Sequence, residues 1–367
     1  MLGVYVHIPF CASKCHYCAF ASFVKREEEQ EKYINSLIEE IKTFTKNSKK
    51  EIDSIYIGGG TPSIISLQLM EKLFSALKEN FIWNENFEFT IEANPCSLTE
   101  EKLKFYKENG VNRISLGVQS LDDKKLKNIG RKHDSKLAIE KIKLASKYFD
   151  NLSCDMLIGL PDMEMQSFLE QIEKLVSLNV KHISAYMLQL EKYTKLLEMV
   201  ENKEIELPDD DESVEVYENM VKLLEKLGFE HYEVSNFAKK GYESKHNLKY
   251  WTGEDYIGFG LGAHSYVDGV RFANSSNFNK YYNGQIEGKE ILTDKQKIEE
   301  HIMLGLRCKN GISKEFLKKL GYNIEENNNF IDFKNKEVLI EDDDKIILNT
   351  AYYGVSNYII ASILPEI

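Results

Sequence analysis

The chain has 367 residues, 43% of them hydrophobic and 29% charged, enough for one large domain and a smaller second one. Its formal net charge of −12 argues against phosphate-backbone binding as the main task, because that needs a basic stripe. There is no run of eighteen apolar residues, no secretory or transit-like leader and no cysteine-dense framework, so the expected protein has no membrane span, works in a reducing cytoplasm and uses no disulfides.

In chain order, Gly3-Val4-Tyr5-Val6-His7-Ile8 reads as a first strand. Cys11, Cys15 and Cys18 follow it at the spacing C-x3-C-x2-C. Three thiolates at this spacing suit a four-iron cluster whose fourth iron stays open to a small chelating molecule. They also suit most of a zinc site, completed by His7 or His16. Glu27 to Lys46 carries Tyr33, Ile34, Leu37, Ile38, Ile41 and Phe44 at helical spacing. Ile52 to Ile57 is a second strand closed by Gly58-Gly59-Gly60-Thr61-Pro62, and a helix through Leu67–Leu77 follows.

Phe87–Ala93, Arg113–Val118, Leu152–Ile158 and His182–Leu188 continue as strands, with helices from Thr99 (capped by Ser97 or Thr99) and around 138–148 and 168–178. Strand–helix alternation of this kind builds a helix-covered parallel sheet or barrel, here with six units where a closed barrel has eight. The polar residues Gly58–Thr61, Glu92, Gln119, Asp155 and Gln189 fall at the strand ends, beside the cysteines. In parallel barrels that is the face where loops converge on a site.

Beyond Leu190 the pattern changes. A polar stretch to Asp211 precedes an amphipathic helix at 214–227, then Tyr232–Ala238 and the dense segment His246-Asn247-Leu248-Lys249-Tyr250-Trp251. Gly258, Gly260 and Gly262 form a weak nucleotide signal without strand–helix context. From Thr293 onward, helices at 296–306, 314–320 and 355–364 and a hairpin turning at 342–344 suggest a winged-helix-like module. The expected division is therefore 1–190, 191–292 and 293–367. Cys96, Cys154 and Cys308 lack metal spacing and are expected as buried small hydrophobes.

Five ordered motifs carry a resemblance: Tyr5–Cys11 with the three cysteines and Tyr17, Gly58-Gly59-Gly60-Thr61-Pro62-Ser63, Glu92-Ala93-Asn94-Pro95, Arg113–Ser120, and Asp155–Pro161. Together they resemble, nearly end to end, the radical S-adenosylmethionine (SAM) group that contains oxygen-independent coproporphyrinogen III oxidase and related heme chaperones. The resemblance implies an α/β fold: a partial (β/α)6 radical-SAM barrel with a C-terminal α+β, winged-helix-like module. It implies that Cys11, Cys15 and Cys18 hold a [4Fe–4S] cluster whose open iron takes the SAM amino and carboxylate groups. Gly60, Glu92 and Arg131 would address the methionine end, Gln119 and Asp155 the ribose, and Thr61 the nucleoside, with Tyr5 and Tyr17 packed by cluster and cofactor. One electron would then cleave the sulfonium and give a 5′-deoxyadenosyl radical.

Within that group the oxidase branch adds a cysteine where this chain has Phe20, and an N-terminal extension where only ten residues precede Cys11. The chaperone branch shows C-x3-C-x2-C-x-F and His-Asn-x-x-Tyr-Trp, both present here. His246 is thereby the expected axial ligand of heme, with Tyr250 and Trp251 packing on the macrocycle. Ala19 and Lys192-Tyr193 depart from the chaperone pattern, which usually has Asp and Pro-Gly at those places. The implied function is heme binding and delivery to acceptor hemoproteins, supported by an electron donor for the cluster. The alternative is oxidative decarboxylation of coproporphyrinogen III to protoporphyrinogen IX.

Overall fold

Six parallel strands follow one another in space as they do in sequence. In the computed structural model, which describes residues 1–365, β1 (Leu2–Ile8), β2 (Lys50–Gly59), β3 (Phe81–Ala93), β4 (Arg113–Gln119), β5 (Asn151–Ile158) and β6 (His182–Met187) are neighbours in that order. The crossovers carry α1 (Gln30–Thr45), α2 (Leu67–Asn80), α3 (Glu100–Glu108), α4 (Asp123–Asn128), α5 (Ser135–Ala145) and α6 (Met165–Ser177). Caps fix several starts: Ser66 accepts from Leu69 N–H on α2, and Thr99 from Lys102 N–H on α3. Ser97 is not that cap; its hydroxyl meets Ser63 at 2.6 Å.

Strand alternation decides which side chains face the site. One face is apolar and buried under the helices, with Val4, Val6, Ile55, Ile57, Phe89, Ile91, Ile114 and Leu116 among its residues. The alternate face is polar. Glu92 pairs in register with Ser115, Ser115 with Ser153, and Ser153 with His182. One row nearer the strand ends, Gly117 pairs with Asp155, Asp155 with Ser184, and Ser184 with Asn236. The barrel is therefore lined with hydroxyls, carboxylates and imidazoles instead of layered aliphatics.

Residues 191–292 do not stand apart from this sheet; they extend both of its edges. After α7 (Lys195–Glu201) and α8 (Asp210–Lys226), the short β7 (Glu230–Glu233) and β8 (Asn236–Ala238) lie antiparallel beside β6. Helix α9 (Lys245–Thr252) leads into β9 (Tyr256–Phe259), which pairs parallel with β1. β10 (His264–Val267), β11 (Val270–Asn274), α10 (Phe278–Tyr282) and β12 (Ile286–Ile291) complete a sheet of twelve strands. The Gly258–Gly262 run is packing, not a phosphate loop: at Gly260 (φ 102°) a Cβ would lie 2.4 Å from the Tyr33 hydroxyl.

The C-terminal unit has its own apolar core, including Ile302, Ile312, Leu317, Phe330, Ile346 and Ile360. It comprises α11 (Asp294–Gly305), β13 (Ile312–Ser313), α12 (Lys314–Lys319), α13 (Asn328–Asn335), β14 (Leu339–Asp342), β15 (Lys345–Leu348) and α14 (Ser356–Ile363). Its three strands form a separate antiparallel sheet. Helix α13 is absent from the sequence-based expectation because its Asn-rich start resembles loop; Asn327 in fact caps it. Cys154 and Cys308 are buried as expected, whereas Cys96 is exposed in the turn after β3, where the Asn94 side chain accepts from its N–H.

Candidate cofactor site

The cysteine loop begins at the end of β1 and is pinned by backbone. Cys11 N–H donates to Phe23 O (2.9 Å), His16 N–H to Ile129 O (2.9 Å), and Leu196 N–H to His16 O (2.8 Å). All three thiols are free and half-buried. The Thr61 hydroxyl donates to Cys11 Sγ at 3.5 Å, and the Arg131 guanidinium to Cys15 Sγ at 3.6 Å. Both contacts favour sulfur carrying negative charge, as metal-bound thiolate does. Burial pushes the Cys18 thiol up, with the Lys14 ammonium opposing it.

The zinc alternative finds no assembled ligand set in this structure. Among the described residues no three His, Cys, Asp or Glu side chains converge as ligands of a single ion. Of the two candidate histidines, His7 has both ring nitrogens occupied, by the Tyr5 hydroxyl (2.9 Å) and Ala21 O (3.0 Å), whereas His16 meets Asn128 O through Nδ1 alone (2.8 Å). Thiols spread around a loop, two of them backed by a donor of their own, suit the corners of a larger cluster.

Beside the loop, the strand ends assemble the expected cofactor residues. Glu92 accepts from the Tyr56 hydroxyl (2.8 Å) and from Gly59 N–H (3.0 Å). Burial, reinforced by nearby Asp155, pushes its carboxyl up to about 7. Asp155, also raised by burial, accepts from the Ser115 hydroxyl at 3.1 and 3.3 Å. Neither carboxylate is tied by an ion pair among the described residues, so each can take an external cation or hydroxyl.

Backbone geometry opens space for a ligand. Gly60 donates its N–H to Ile8 O (2.8 Å), leaving its carbonyl to accept from an ammonium. A Cβ there would lie 2.7 Å from Phe10 O, so the strand crossing admits only glycine. Gln119 sits at φ 68° where the β4–β5 register shifts. This bulge re-aims the amide toward the strand ends. Arg131 also donates to the Gly117 carbonyl, and its Nε is buried without a partner.

Tyr17 packs with Ile129, Leu157 and Leu160 directly under the cysteine loop. Tyr5 is half-buried, stacks on Tyr56 (6.3 Å between ring centroids) and meets His7 Nδ1 through its hydroxyl (2.9 Å). Tyr56 and Ser115, which orient Glu92 and Asp155, are absent from the sequence-based set. The available signal was the alternation itself, since Tyr56 precedes Gly58 on the same strand face.

His246, the expected heme ligand, is not brought to the rim. It is 0% exposed in the first turn of α9, in the barrel floor. Nδ1 meets the Ser54 hydroxyl and Nε2 the Tyr250 hydroxyl, each at 2.9 Å. Its ring stacks on Tyr56 at 5.4 Å. Burial, with the Lys249 and Arg113 charges, pulls its pKa down to about 3. A neutral imidazole with both nitrogens occupied has no lone pair for iron in this arrangement. His246→Ala is expected to cost roughly 2–4 kcal/mol through the cavity and two orphaned hydroxyls, while the folded variant keeps the wild-type heme absorption spectrum. Loss of that spectrum at unchanged urea midpoint would assign His246 the axial role.

A half-open α/β barrel with three thiols on one loop and half-buried carboxylates at its strand ends defines a radical SAM protein. Comparison with known families agrees: the Radical SAM superfamily matches residues 5–175. The solved structure of coproporphyrinogen III oxidase (HemN) from Escherichia coli shares the fold, with a TM-score of 0.85 at 20% identity over all of this chain and 90% of that one. The heme chaperone HemW of Lactococcus lactis is 36% identical over 99% of this chain and 97% of its own length. That of Bacillus subtilis is 38% identical over 89% and 88%. This chain belongs to the HemW family of radical SAM proteins.

Proposed function

We propose that the chain is a radical SAM heme chaperone, binding heme and passing it to acceptor hemoproteins in the cytoplasm. Cys11, Cys15 and Cys18 would hold the [4Fe–4S] cluster, Gly60, Glu92 and Arg131 the methionine end of SAM, and Gln119 and Asp155 its ribose. When bound, the cluster supplies single-electron chemistry at the SAM sulfonium. The chain's own residues orient the ligand: Tyr56 and Gly59 hold Glu92, and Ser115 holds Asp155.

The observation that carries this reading is similarity over 99% of the chain to a protein named heme chaperone HemW. The rim is consistent with it. Phe20, where the oxidase branch has another cysteine, is 70% exposed, and Tyr193 is 98% exposed on the loop that Leu196 ties to the cysteine segment. Exposed aromatics of this kind suit the face of a flat macrocycle.

The test is anaerobic incubation of cluster-loaded protein with heme, followed by addition of an apo-hemoprotein, with absorption spectra read at each stage. Near-stoichiometric heme uptake and its appearance in the acceptor are expected. A parallel incubation with coproporphyrinogen III, SAM and reductant is expected to give no porphyrin product. Multiple turnovers to protoporphyrinogen IX would make the chain an oxidase instead.

A further inference from the structure

The cysteine loop rests against a segment whose charge opposes that of the whole chain. Residues 121–136 carry six cations and three aspartates in a protein of net charge −12. The aspartates are engaged locally. Asp122 accepts from Lys124 and Lys125 N–H and pairs with the buried Lys125 amine. Asp123 accepts from Ser135 N–H, and Asp134 caps α5 through Leu137 N–H.

The remaining amines face solvent. Lys124 and Lys125 pair with Asp162 and Asp122, but exposed Lys127, Lys132 and Lys136 enter no ion pair among the described residues. They stand around an open recess of about 510 Å³, whose wall also includes Arg131 and, as the opposing charges, Asp123, Asp134 and Glu140. Arg131 is the link inward, because its guanidinium reaches Cys15 Sγ. The same segment holds the cysteine loop through the Ile129 and Asn128 carbonyls, which accept from His16.

An acidic partner is repelled at long range by a chain of this net charge. Productive approach needs a local patch of opposite sign, effective over about one Debye length, roughly 8 Å at physiological salt. The amines span the last turn of α4, the following loop and the first turn of α5, which is the breadth of a protein contact. The recess is open and mostly polar, so it does not enclose a small ligand.

We propose that this face docks an acidic one-electron carrier protein, with Lys127, Lys132 and Lys136 meeting its carboxylates. The proposal rests on the reading of Cys11, Cys15 and Cys18 as iron–sulfur ligands. The carrier loses one electron and the iron–sulfur group gains it; no bond or proton changes hands.

The test compares wild type with a Lys127→Glu/Lys132→Glu/Lys136→Glu variant, using a flavodoxin as the acidic carrier. Binding to the full chain without its cluster is measured calorimetrically at low and physiological salt. Wild-type affinity is expected to fall with salt, and the variant to bind at least about tenfold more weakly at low salt. With cluster-loaded protein, reduction by flavodoxin hydroquinone is expected to slow in the variant, while reduction by the cationic methyl viologen radical does not. Equal affinities, salt-independent binding or no binding at all would overturn the proposal. Failure of the chain to take up iron and sulfide would instead overturn the cofactor reading, leaving the calorimetric result to judge the surface.

Discussion

Cys15→Ala is expected to abolish the iron–sulfur chromophore while leaving the chain folded. A three-cysteine cluster has no spare protein ligand, and the nearby His7 has both ring nitrogens held, by Tyr5 and Ala21. Iron content after anaerobic reconstitution should fall from about four per chain to a small fraction of one. The half-buried thiol contributes little packing, so the unfolding free energy from urea titration should move by no more than about 1 kcal/mol. Exposed Cys96→Ala is the matched control and should retain full iron and sulfide. A visible cluster spectrum persisting in Cys15→Ala would refute the assignment of this thiol.

Glu92→Gln should separate ligand binding from stability. Burial lifts the Glu92 pKa from 4.5 to about 7, so between those values the folded state keeps a proton that the unfolded state has lost. Stability therefore falls as pH rises through that window, by about 1.4 kcal/mol per unit and roughly 3 kcal/mol in total. The amide of the Glu92→Gln variant cannot ionise and escapes this cost. Relative to wild type, the variant should gain stability at pH 8 and gain none near pH 4.5, as read by urea unfolding.

SAM binding should move the opposite way. The methionine ammonium loses a charged acceptor worth about 1.5–3 kcal/mol, or roughly ten- to a hundredfold in affinity. Wild-type affinity should also decline as pH drops below about 7, where the carboxylate protonates, a slope the variant lacks. Equal SAM affinity for both proteins at pH 8 would remove Glu92 from the methionine end.

Much of the site was legible because its information is local. The three cysteines lie within eight residues, and spacing alone restricts what they can hold. Glu92, Asp155 and Gln119 announced themselves as polar residues ending apolar strands, a place where core packing has no use for them. The zinc alternative stayed open in one dimension, because His7 and His16 are as near in sequence as the thiols. Only the folded loop shows both His7 nitrogens committed to other partners and His16 Nδ1 bound to the Asn128 carbonyl.

The division into segments was less legible. The irregular 191–292 stretch contains short strands with weak alternation, and β7–β12 gain their identity from the sheet that grows outward from β6 and β1. Strands of three or four residues are stabilised by the neighbour they join, not by their own pattern.

Sequence by itself determined the barrel's strand–helix order, the C-x3-C-x2-C spacing and the family, since each depends on periodicity or on spacing within a few residues. Tertiary structure alone decided the place of His246. Its partner Ser54 is 192 positions away, and the helix start that buries it is anchored by Glu88, which accepts its N–H at 3.1 Å. A motif can name an imidazole, but the groups its two nitrogens meet are set by strands that fold together from distant parts of the chain. Here those contacts stack it against Tyr56 and join it to Ser54 and Tyr250.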